Sequence, residues 1–168
     1  MAQTLTPLIA GGTGSFSHLE TMPTHMPDAF EAGTLNLPGI IGLNEGLSYI
    51  EAVDMKNIHN HELALTKTFL EGLRSITGIN IIGKQDIQDR TAVVSITIDG
   101  LDAASIAYEL ESNYHIMTRV GLHCAPRAHQ TLGTYPEGTV RFSFGYANTL
   151  EEVDMALSAL HTILKNTK

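Results

Sequence analysis

Cysteine is nearly absent from this chain, basic residues are few, and long apolar runs are missing. Each scarcity excludes a class of function. The single cysteine, Cys124, cannot build an internal disulfide framework and fits a reducing cytoplasm. Ten lysines and arginines stand against eighteen acids, for a formal net charge of −8, and the basic residues are scattered. Phosphate contacts need clustered cations, so no nucleic-acid partner is expected. No apolar stretch approaches the roughly 20 residues of a membrane span. Residues 1–10 are too short and carry no basic residue for a signal peptide, so no membrane partner is expected either. What remains is 168 residues with 43% hydrophobic and 17% charged content, enough for a soluble domain with its own core.

The patterning changes along the chain. Leu5–Ala10 reads as a short extended entry into the turn Gly11-Gly12-Thr13-Gly14-Ser15, whose backbone amides and hydroxyls could meet a phosphate. Alone this signal is weak, because it lacks both the Lys-Ser/Thr of a P-loop and the spacing of a dinucleotide fingerprint. Residues 16–38 show little periodicity and read as a long irregular loop. From Gly39 apolar residues fall at helical spacing, first Ile40 to Met55 and then Leu63 to Leu73, giving one long helix or two in tandem. His59 and His61 are two apart and would not share a helix face, so solvent exposure is the better reading and no metal site is expected.

Short strands follow at 80–83 and 92–98, joined by a polar turn. Asp102 is placed to cap a helix carrying Ile106 and Leu110, and Ile116–Val120 reads as a third strand. Residues 125–136 read as a loop. Val140, Phe142 and Phe144 alternate with Arg141 and Ser143 in a half-buried strand, which turns Arg141 away from the packed phenylalanines. Asn148-Thr149 opens a last helix with Glu151 and Glu152 in its first turn and a stripe of Val153, Leu157, Leu160 and Leu164. The expected fold class is therefore α+β, a small, mostly antiparallel sheet covered by helices.

The segment 119–148 concentrates chemistry. Cys124 directly follows His123 and stands five residues beyond Arg119, and Arg141 lies on the next strand. A thiolate needs positive neighbours, and a carboxylate is best gripped by a planar guanidinium fork. Taken singly, a lone cysteine is more often a small buried hydrophobe, and a strand arginine more often a solvated one. Their combination favours a reactive thiol beside a carboxylate site.

Four motifs stand in order: Gly11-Gly12-Thr13-Gly14-Ser15; Glu31-Ala32-Gly33-Thr34-Leu35-Asn36 with Gly39, Gly42 and Leu43; Arg119-Val-Gly-Leu-His-Cys-Ala-Pro126; and Thr139-Val-Arg141-x-Ser143 with Asn148-Thr149-x-Glu-Glu152. With them the chain resembles, over nearly its whole length, the C-terminal part of class V aminotransferase proteins of the cysteine desulfurase and selenocysteine lyase branch. The resemblance implies the C-terminal domain of a fold-type I pyridoxal-phosphate enzyme. Residues 1–38 would be an arm of the large cofactor-binding domain, and residues 39–168 the small domain.

It also implies an activity. Cys124 would attack the sulfur of a cofactor-bound substrate cysteine, becoming a persulfide and leaving alanine. Arg141 would hold the substrate carboxylate, with Arg119 and His123 in support. Thr13, with Gly12 and Gly14, would touch the cofactor phosphate of the second subunit of a homodimer. The implied partners are that second subunit, the large domain, a small amino-acid substrate and a sulfur-acceptor protein. The cofactor lysine of the family has no counterpart among Lys56, Lys67, Lys84, Lys165 and Lys168, so the chain resembles roughly the last two-fifths of an enzyme and would be inactive alone. Two other readings stay open: a non-catalytic sulfur-carrier or dimerisation module, and a related class V aminotransferase in which Cys124 only packs. An arm without its domain would leave apolar surface over residues 5–40, to disorder, swap between copies or pack on a neighbouring copy.

Overall fold

The computed structural model describes residues 4–16 and 18–166. By internal contacts the chain divides into two compact units, Met1–Ala52 and Val53–Lys168. The division falls one helix later than the boundary expected after residue 38.

The N-terminal unit is mostly irregular up to helix α1, Leu37–Val53. Asn36 starts α1 by accepting the Gly39 amide on Oδ1 at 3.1 Å, a local cap that leaves the helix free to begin at Leu37. No α1 side chain is buried, and Ile40, Ile41, Leu43 and Leu47 are all exposed. The earlier turns are tied internally: the Gly33 amide donates to the Gly12 carbonyl at 2.6 Å, and Asp28 accepts from Ser15 and pairs with His25.

The larger unit is built on a four-stranded sheet of order β1-β2-β4-β3, with every neighbouring pair antiparallel. Its strands are β1 (Ile79–Ile82), β2 (Val93–Ile98), β3 (Arg119–Gly121) and β4 (Thr139–Ser143). Helices α2 (Met55–Arg74), α3 (Ala103–Tyr114) and α5 (Leu150–Asn166) cover one face, while a short α4 (Pro126–Leu132) links β3 to β4. Period-two alternation sends Val94, Ile96, Ile98, Val140 and Phe142 into the core with Leu65, Phe69, Leu70 and Leu73 of α2. Phe69 anchors this layer, its ring 4.9 Å from that of Phe142 and 5.1 Å from that of Phe144.

Asp102 caps α3 as the sequence predicts, accepting the Ala104 and Ser105 amides. Asp54 separates α1 from α2 and caps α2 through the Lys56 amide, so the long apolar pattern resolves into two helices. Four expectations change. The stretch read as loop at 125–136 contains α4, and the third strand shrinks to three residues. His61 is half-buried rather than exposed, its Nε2 2.8 Å from the Asn148 carbonyl and its ring edge-on to Tyr146. On α5 the buried residues are Val153, Ala156, Ala159, Leu160 and Ile163, whereas Leu157 and Leu164 lie at the margin of the core. Among the described residues no helix is long and apolar enough to cross a membrane.

Candidate functional site

The face of the sheet opposite α2, α3 and α5 carries the candidate chemistry. Pairing places Ile82 opposite Ser95, Ser95 opposite Arg141, and Arg141 opposite Arg119, so one row across the sheet ends in two arginines. Like charges directly opposed on a ladder repel. Among the described residues no carboxylate lies within ion-pair reach of either guanidinium. Arg141 Nε is moreover buried without a hydrogen-bond partner. A buried, unpaired donor is costly unless something supplies an acceptor.

Beyond β3 the backbone turns sharply. His123 and Cys124 both take left-handed conformations, with φ of 51° and 60°, which side-chain-bearing residues seldom adopt. The Ala125 amide closes the turn on the Leu122 carbonyl at 2.8 Å, and Pro126 begins α4 at once. Close backbone approach holds the other side: Gly138, at φ 80°, would drive any Cβ into the Gly121 main chain, so only glycine fits there. The result is an exposed Cys124 thiol with Arg119 Nη2 at 3.7 Å from its sulfur.

His123 bridges thiol and sheet. Its Nε2 lies 3.1 Å from the Arg119 carbonyl, which only accepts, so Nε2 carries the proton and Nδ1 is the acceptor. Burial holds its imidazole below the ordinary histidine range, and the nearby Arg141, His129 and Arg119 push the same way against the hydrogen bond to the Arg119 carbonyl. The ring thus resists protonation in its place beside Arg119 and Arg141. The structure therefore brings Arg119, His123, Cys124 and Arg141 together on one surface.

Thr13, Gly12 and Gly14 belong to the other unit. Thr13 Oγ1 accepts the Ser15 amide at 3.4 Å, Gly14 needs its positive φ of 79°, and no atom lies within 4 Å of where a Cβ would stand on Gly12 or Gly14. The reading of the residues did not find His129 or Thr134, both buried, whose side chains meet at 2.7 Å beside the site. The available signal was Pro126 followed seven residues later by Gly133, the proline-first, glycine-last signature of a short helix.

The model of the family described as Aminotransferase class-V matches residues 1–156. The chain belongs to that family. It is 37% identical over 163 residues to a probable cysteine desulfurase of Pyrococcus abyssi and 33% identical over 160 residues to probable cysteine desulfurase 2 of Mycobacterium leprae. These matches cover 96% and 92% of this chain but 40% and 37% of those proteins. The solved cysteine desulfurase of Thermococcus onnurineus aligns with TM-score 0.82 at 36% identity, over 96% of this chain and 40% of that one. The Escherichia coli cysteine desulfurase CsdA, solved as its S-sulfonic acid form, aligns with TM-score 0.78 at 26% identity, over 98% and 40%. The chain thus spans about two-fifths of the length of the curated relatives it matches, and its fold is that of the C-terminal domain in fold-type I enzymes.

Class V aminotransferases work with pyridoxal phosphate. Each unit taken by itself carries groups whose chemistry suits part of such a site, but not its covalent anchorage. Thr13 in its open glycine turn offers a hydroxyl for a phosphate, and Arg141 Nε offers an unused donor for a carboxylate. A Schiff base needs a lysine, yet Lys56 and Lys67 lie on α2, Lys84 in the β1–β2 turn and Lys165 at the end of α5. Lys168 lies outside the described residues. No lysine stands on β3, β4 or the segment between them.

Proposed function

We propose that this chain supplies the sulfur-accepting and carboxylate-binding half of a pyridoxal-phosphate-dependent cysteine desulfurase, completed by a large domain that carries the cofactor lysine. The observation that carries the reading is the exposed Cys124 sulfur 3.7 Å from the Arg119 guanidinium, with Arg141 directly across the ladder. Bound pyridoxal phosphate supplies the electron sink that loosens the Cβ–S bond of a substrate cysteine.

The roles of the chain's own residues follow from their chemistry. Arg141 grips the substrate carboxylate, satisfying its orphaned Nε, and fixes the direction in which the substrate sulfur points. Cys124 Sγ attacks that sulfur. The S–S bond forms as the Cβ–S bond breaks, so cysteine and the Cys124 thiol become alanine and the Cys124 persulfide. Arg119 donates to Cys124 Sγ, and His123 braces the turn through its bond to the Arg119 carbonyl. Thr13, Gly12 and Gly14 serve the cofactor phosphate across a homodimer interface. A sulfur-acceptor protein then takes the outer sulfur from the exposed thiol. Cysteine is the substrate in this reading, and the cytoplasm its setting.

The test joins the chain to the cofactor-lysine domain of a cysteine desulfurase and measures alanine and sulfide from cysteine. The chain alone forms neither; the complete enzyme forms both. Cys124→Ala abolishes alanine formation by at least about a hundredfold while cofactor absorbance persists. Arg141→Ala lowers kcat/KM about ten- to a hundredfold, the value of one charged hydrogen bond. Full activity in Cys124→Ala means that the thiol is packing. A persulfide that forms on Cys124 of the isolated chain only when an independent desulfurase is added, with no turnover in the joined enzyme, would assign the chain as a sulfur carrier.

A further inference from the structure

Of the two histidines flanking the thiol, His129 is the buried one, 6% exposed on α4. Its Nδ1 lies 2.7 Å from the hydroxyl of Thr134, itself only 8% exposed, and the Thr134 amide donates back to the His129 carbonyl at 2.9 Å. Ring and main chain are therefore pinned at the end of the helix. On the thiol side the His129 ring packs 5.6 Å from that of His123, whose Nε2 is bonded to the Arg119 carbonyl. The series Thr134, His129, His123, Arg119 runs from buried interior to the guanidinium beside Cys124 Sγ. Between them stand His123 and Cys124 with left-handed backbones, a conformation that persists only where surrounding structure enforces it.

We propose that His129, oriented by Thr134, is a positioning residue that fixes His123 and thereby the turn that holds the Cys124 sulfur at the Arg119 guanidinium. An apolar side chain at 129 would fill the same volume but would leave the Thr134 hydroxyl buried without a partner, so packing alone does not account for the pair. The proposal rests on reading Cys124 as the reacting thiol. Its test needs neither cofactor nor turnover, so failure of the desulfurase reading and failure of this one give different results.

Because Cys124 is the sole cysteine, alkylation of the whole chain reports on one sulfur. Rate constants are measured at one pH with anionic iodoacetate and neutral iodoacetamide, and their ratio reads the positive charge held at Sγ by Arg119. The ratio in the native chain is expected to exceed that of the chain in denaturant. Thr134→Val, nearly isosteric, and His129→Leu each lower it about fivefold, the effect of losing one close charge in water. Thr134→Ser, which keeps the hydroxyl that orients the ring, keeps the native ratio. Circular dichroism confirms that each variant is folded; should His129→Leu unfold, Thr134→Val decides. A native ratio equal to that in denaturant overturns the proposal. So does a folded Thr134→Val with the native ratio, or a Thr134→Ser that falls as far as Thr134→Val.

Discussion

A partly buried imidazole near two guanidiniums resists protonation, first through burial and then through their charge, and that resistance gives His123 a signature in the pH dependence of stability. Its folded affinity for a proton is depressed below the ordinary value of about 6.5. Above that value both folded and unfolded chains leave the ring neutral, and nothing is lost. As pH falls through about 6.5, the unfolded chain binds the proton first, and stability declines. Thermal unfolding at pH 7 and pH 5.5 should therefore show a larger drop in Tm for the native chain than for His123→Gln, whose amide can keep the bond to the Arg119 carbonyl. The six histidines other than His123 and His129 act alike in both chains, and equal drops would mean that His123 binds its proton equally in the folded and unfolded chain. At this scale the sequence was legible where chemistry is concentrated: Arg119, His123, Cys124 and Arg141 lie on two nearby stretches, and strand alternation places Arg141 off the core. His129 and Thr134 were not, because their partnership depends on a helix turn that periodicity does not reveal.

Among the elements, the long helices and the two central strands announced themselves through apolar spacing, whereas α4 is only seven residues and too short to show a stripe. On α5 the preference for leucine misled: close packing against α2, where a Cβ on Gly72 would collide with Leu157, lets the small Ala156 and Ala159 take buried positions. Three substitutions test the elements by denaturant unfolding. Asp102→Ala removes the α3 cap and should lower the unfolding midpoint. Phe69→Ala empties the space between Phe142 and Phe144 and should cost about 3–5 kcal/mol. Gly138→Ala combines a positive φ with a main-chain collision, so it should destabilise by more than the ~1 kcal/mol typical of point substitutions and disturb the Cys124 turn. A wild-type unfolding curve for Gly138→Ala would mean that β3 and β4 can separate freely at that end.

At the scale of the whole molecule, every residue of the core cluster lies between Leu65 and Ile163, inside the larger unit. Removing residues 1–52 should leave the principal unfolding transition within a few degrees of its position in the full chain; collapse of that transition would show that the N-terminal unit contributes to the core. The motif order told the family before any packing was known, but a division after Ala52 could not be read from α1, which is rich in apolar residues although it buries nothing. The opposed Arg119 and Arg141 have a consequence here as well. In a chain of net charge −8 they form a small island of positive potential within an acidic field. An approaching anion is first turned away by the molecule at large and then drawn in over the last few ångströms. Added electrolyte screens the distant repulsion at ranges beyond about 10 Å while leaving the short-range pull largely intact. Moderate ionic strength should hasten, rather than slow, the arrival of small carboxylates at this face.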